Sequence, residues 1–174
     1  MSPQTLFGLG AGAAILGGGL RIAAALIPYT PQSPVLEVLY AVIDLSLLFG
    51  LVAIYLRVAP ALGWPGLLAF AVSGAGLASI VGPDTEMFGI DWYQMGATGS
   101  ALGLAGLSVV MVLAGRRIGP SIMWLAVLPM AVFAPGPVAN IAPGVLFGLG
   151  FVWAGLSDLS ATRSERSRPS QSRI

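Results

Sequence analysis

The sequence predicts an all-α polytopic membrane protein, a compact bundle of six transmembrane helices with the fifth and sixth interrupted by proline. Three observations lead there. Of 174 residues 56% are hydrophobic and only 9% charged, and the mean hydropathy is +0.89, far from the balance of a soluble domain. Its 24 glycines and 13 prolines follow no collagen-like period and sit within apolar runs, as in helices that pack closely in lipid. The charges fall mostly at the breaks between those runs.

Absent residues narrow the chemistry. The chain has no Cys and no His, and all eight basic residues are Arg. The usual zinc, iron-sulfur, blue-copper and histidine- or thiolate-ligated haem sites therefore cannot be built from it, and no metal or cofactor is expected. Without Lys there is no Schiff base to retinal or pyridoxal phosphate. Neither a Ser-His-Asp nor a Cys-His relay can form.

The first helix is expected over 6–27. No basic residue precedes it and it is longer than a signal-peptide core, so it reads as a retained span. Gly8 and Gly12, and Ala14 and Gly18, supply small-residue faces. Arg21 interrupts its apolar run. After Pro28, Pro31 and Pro34 the second helix, 35–58, begins with two acids in its length, Glu37 and Asp44. The turn A-P-A-L-G separates it from a third helix over 64–81, with Pro65 suited to a first helical position.

A polar loop follows, G-P-D-T-E-M-F-G-I-D-W-Y-Q-M-G, residues 82–96. It brings together Asp84, Glu86 and Asp91, with Trp92 and Tyr93 beside them. Its start superficially matches a calcium loop, but Phe88 occupies a ligand position and Met95 the place of the twelfth-position Glu, which rejects an EF-hand. These acids read as solvated loop residues, or as an outer docking surface anchored by Trp92 and Tyr93.

The fourth helix is expected over 97–114, ending at Arg116 and Arg117. The last two are expected over 119–134 and 138–157, with Pro129 and Pro143 kinking or unwinding them around Asn140. Broken helices of this kind can line a substrate cavity, since irregular backbone at membrane depth must face protein or water. The Arg/Ser-rich tail, 160–174, has nothing to bury and is expected to be disordered, its arginines resting against an anionic leaflet rather than on nucleic acid.

Six crossings place Arg57, Arg116, Arg117, Arg163, Arg166, Arg168 and Arg173 on one side and Asp84, Glu86 and Asp91 on the other. That is the positive-inside pattern, and it puts both termini in the cytoplasm of a plasma-membrane protein. Trp64, Trp124 and Trp153 then fall at the inner boundary and Trp92 at the outer one.

The candidate site lies on the first two helices. Glu37, Tyr40 and Asp44 are spaced i, i+3, i+7 and share one stripe. At about 1.5 Å per residue, Glu37 lies roughly 4 Å deep, Arg21 roughly 10 Å and Asp44 roughly 15 Å, so an Arg21 to Asp44 ion pair with Tyr40 as donor is expected. Such a cluster serves as a structural clip between the helices or as a ligand or proton site. A paired-aspartate intramembrane protease is disfavoured, because Glu37 is about 10 Å along the same helix from Asp44.

Two functions follow. One is a carrier, or the substrate-binding membrane subunit of one, using Arg21, Glu37, Tyr40 and Asp44. The other is a non-catalytic accessory subunit of a larger membrane complex, or a homo-oligomer, joined through Gly/Ala-rich helix faces.

Overall fold

The computed structural model describes residues 3–28, 30, 33–81, 86, 87 and 89–166, with the backbone alone for Glu86, Met87, Ile90, Asn140 and residues 163–166. Five helices carry the fold: α1 (Pro3–Ala25), α2 (Pro34–Ser79), α3 (Trp92–Leu113), α4 (Ile118–Phe133) and α5 (Pro137–Arg166). Between α2 and α3 a two-residue antiparallel ladder pairs β1 (Glu86–Met87) with β2 (Ile90–Asp91). The first, second, third and fifth helices are long and apolar enough to cross a membrane, and α4 is a shorter apolar helix.

The helices expected over 35–58 and 64–81 form one 46-residue element interrupted at Gly63, whose φ of 58° and ψ of −155° lie outside helical space. A straight helix of that length would run about 69 Å, more than twice a bilayer's hydrocarbon thickness. This one doubles back. The rings of Tyr55 and Phe70 stack with centroids 4.1 Å apart and an interplanar angle of 9°, whereas 15 positions along an unbroken helix span about 22 Å. Glycine is needed at the bend, because this backbone region is nearly closed to residues with a Cβ.

Glycine contacts give the order of packing. A Cβ placed on Gly10 would strike Ala53, one on Gly50 would strike Ala14, and one on Gly17 would lie 2.9 Å from the Leu47 nitrogen. Partner numbers rise on one helix as they fall on the other, so α1 runs antiparallel to the first arm of α2. The same test pairs Gly18 with Gly148 and Gly155 with Ala11, setting α1 antiparallel to α5. Gly76 against Gly96, and Gly103 against Ser73, pair α3 with the second arm of α2. Small residues thus set the helix spacing, as dense packing in lipid requires. A Cβ added at Gly8 or Gly12, which the sequence suggests as contacts, would meet nothing within 4 Å among the described residues.

The core is built from one face of each remaining element. Ile43, Leu47, Leu51 and Ile54 follow a helical spacing on α2, Leu104, Leu107 and Met111 on α3, and Phe147, Phe151 and Ala154 on α5; all are buried. Trp124 joins them. Its ring meets Phe151 edge-on at 5.1 Å, Gly150 leaves it room, and its indole N–H donates to the Phe147 carbonyl at 3.3 Å. Trp124 is thus held inside the bundle, which satisfies its one polar atom internally rather than leaving it to interfacial water. Trp64, beside the bend, is 80% exposed.

Two further expectations are corrected. Pro129 and Pro143 lie inside continuous helices, so neither helix is unwound there; each proline removes one backbone donor. And α5 runs to Arg166, so residues 160–166 of the expected tail are helical. Between α3 and α4 the turn is tight, with Gly115 at φ 65° and Arg117 at φ 48°. Arg117 is the only described non-glycine residue in the left-handed region.

Candidate functional site

The antiparallel arrangement gathers six helical segments at one end of the bundle: the end of α1, the start and end of α2, the start of α3, the end of α4 and the start of α5. A cavity of about 350 Å³ opens among them, at the lower end of the range for small-molecule sites. Arg21 and Asp44 both line it. So do Leu47, Leu77, Ile80, Val127 and Phe147, with polar atoms from Tyr93, Thr98 and Ser100. Every helix contributes to its wall.

Asp44 is 4% exposed, so its carboxylate sees little but the cavity. The expected Arg21 to Asp44 ion pair is not formed: the described residues contain no contact between them within the 4.0 Å that defines one. Instead the Arg21 guanidinium lies over the Tyr40 ring, 5.9 Å from its centroid. A cation on a ring face is favourable, and Tyr40 is one turn before Asp44, which places the guanidinium beside the cavity without closing it. Its charge still acts on the Asp44 carboxylate electrostatically.

The other residues predicted from sequence fall in different places. Glu37 is exposed in the first turn of α2, outside the cavity. Pro143 lines the cavity, whereas Pro129 is exposed; the Asn140 side chain lies outside the described residues. Of the outer loop, Asp84 and the Glu86 side chain also lie outside them. Asp91 caps α3, its carboxylate accepting from the Gln94 N–H at 2.8 Å, a local structural role for an acid at that position. Trp92 is half-buried, and Tyr93 belongs to the cavity.

At the opposite end stands a charged cluster that the sequence reading missed. Asp158, 4% exposed, is paired with Arg117 and lies 3.5 Å from Arg57 Nη1. Arg57 Nη1 also donates to the Asp158 carbonyl at 3.3 Å, and its Nη2 to Thr162 Oγ1 at 2.9 Å. Thr162 in turn donates to the Asp158 carbonyl at 2.8 Å, and Arg117 Nη1 to the Ala154 carbonyl at 3.4 Å. The Arg57 guanidinium also lies 5.0 Å from the Phe7 ring centroid. Four elements meet here: α1, the first arm of α2, the residue before α4, and the last turns of α5. The signal available in the sequence was an acid following a long apolar run, with two arginines expected on the same side.

Comparison of the chain with protein-family models, with curated proteins and with solved structures finds no match to any of them.

Proposed function

We propose that this protein is a six-crossing membrane carrier, or the substrate-binding membrane subunit of one, that holds a small ligand between Arg21 and Asp44. In this reading the two arms of α2 cross separately, both termini are cytoplasmic, and the cavity faces outward. The observation that carries it is the cavity itself: a carboxylate and a guanidinium line one space, unpaired with each other, in otherwise mainly apolar surroundings. A structural clip would bring such groups into contact, because isolated charges at membrane depth are unfavourable.

The Asp158 cluster then serves as the inner latch. It ties the first arm of α2 to α5 and the start of α4 at the end away from the cavity, and its release would let the helices part there. Alternating access needs such a closed end opposite an open one.

The test exploits the absence of native cysteine. Ala101, on the cavity wall, is replaced by Cys in the full chain in liposomes and treated with a water-soluble, membrane-impermeant thiol reagent. The carrier reading expects labelling from outside. A cysteine there that stays unreactive while one at exposed Trp64 reacts after permeabilisation would mean a dry void, and the reading would fail.

One observation favours an accessory or oligomeric role instead. Gly8, Gly12 and Gly19 share one face of α1, and a Cβ added at any of them would meet nothing within 4 Å among the described residues, a notch of the kind that receives another helix. Copurification with a partner, lost in Gly12→Leu, would support it.

A further inference from the structure

The chemistry of the cavity wall goes further than its existence, provided that the space is a binding site as proposed above. Asp44 is more than nine-tenths buried and lines the cavity, as does Arg21. Among the described residues neither has an ion-pair partner, and the contact found for Arg21 is with the Tyr40 ring face. The wall thus presents one carboxyl and one guanidinium group that are not in ion-pair contact, with mainly apolar side chains such as Leu77, Val127 and Phe147 around them.

Each class of ligand meets that wall differently. An anion would pair with Arg21 and be repelled by Asp44; a cation would do the reverse; a neutral apolar molecule would leave both charges desolvated and unmatched. A molecule with both charges and an apolar body complements all three features at once. It also crosses without net charge transfer, so membrane potential neither drives nor opposes it.

We propose that the cavity takes a small zwitterion with an apolar body, its carboxylate toward Arg21, its ammonium group toward Asp44 and its side chain against the Val127 and Phe147 wall.

The experiment uses the full chain carrying Ala101→Cys in detergent, with protection against thiol alkylation as the readout. The probes are leucine, N-acetylleucine, which has lost the cation, and leucinamide, which has lost the anion. Leucine is expected to protect at concentrations at least tenfold below either analogue. Adding Asp44→Asn should abolish the preference for leucine over N-acetylleucine, and adding Arg21→Gln the preference over leucinamide, each leaving the other preference in place. Equal protection by leucine and one analogue, or no protection by any of the three, would overturn the zwitterion assignment. Because the cysteine's reactivity to aqueous reagent is measured first, a reactive but unprotected cysteine refutes the ligand class alone. An unreactive one refutes the binding-site reading beneath it.

Discussion

Arg117 and Asp158 form a buried ion pair across 41 residues of sequence, joining the left-handed residue that starts α4 to the last turns of α5. Their side chains are 10% and 5% exposed, so removing one partner leaves a charge that water cannot reach. Asp158→Asn keeps the shape and deletes the charge, leaving two guanidinium groups facing each other. Breaking a buried pair in this way typically costs about 3–5 kcal/mol. A comparable loss is expected in reversible unfolding from mild detergent into denaturing detergent. Arg57→Gln should do less, since its contact with the carboxylate is longer and its side chain more exposed. Unfolding of Asp158→Asn indistinguishable from the parent would remove the latch from the account.

The bend at Gly63 is tested by proximity. Tyr55→Cys with Phe70→Cys, in a chain free of other cysteines, should crosslink under mild oxidation or with a short bifunctional maleimide, because the parent rings are stacked. Along an unbroken helix the two positions would be about 22 Å apart. Failure to crosslink, with both single cysteines reactive, would mean that the arms do not fold back on each other.

The helical membrane class was legible because it rests on composition and run length, which no tertiary detail overrides. The bend was partly legible: the residues around it, A-P-A-L-G-W-P, carry breakers on both sides of Gly63. What could not be read was pairing across distance. Arg21 and Asp44 were placed at compatible heights by counting residues, yet height does not fix rotation about each helix, and the guanidinium found the Tyr40 ring first. Asp158 stands in the sequence only as an acid between a long apolar run and a polar tail. Only the antiparallel fold brings Arg57, 101 residues away, to the same point. Trp124 shows the same limit, since rules for interfacial rings work on average position along a span and cannot see which face of α4 meets Phe151.

Two neighbouring glycines of α1 should respond oppositely to enlargement. At Gly10 an added Cβ would collide with Ala53, whereas at Gly12 it meets open space. Gly10→Val must therefore push α1 away from α2, opening the contact that continues through Ala14 and Gly17. Overpacking of this kind costs about 1–3 kcal/mol. Gly12→Val should be nearly neutral in the isolated chain, and helped slightly by a better helix propensity than glycine. The comparison is made on purified monomer by thermal unfolding. Equal destabilisation would show that the outer face of α1 is also packed.

The two buried aspartates are expected to part company as well. Asp158 is held by two arginines, whereas Asp44 has no ion pair among the described residues and looks into the cavity. Asp44→Asn removes a buried carboxyl group that no ion pair among the described residues satisfies, so thermal stability should hold or rise, while the preference for leucine over N-acetylleucine in cavity protection is lost. Sites kept for binding commonly carry this trade between stability and function. Should Asp44→Asn unfold as readily as Asp158→Asn, the carboxylate would be serving as a clip between helices, and a ligand role for it would have no basis. A mutant with unchanged stability and unchanged ligand protection would mean that ligand does not engage the carboxylate at all.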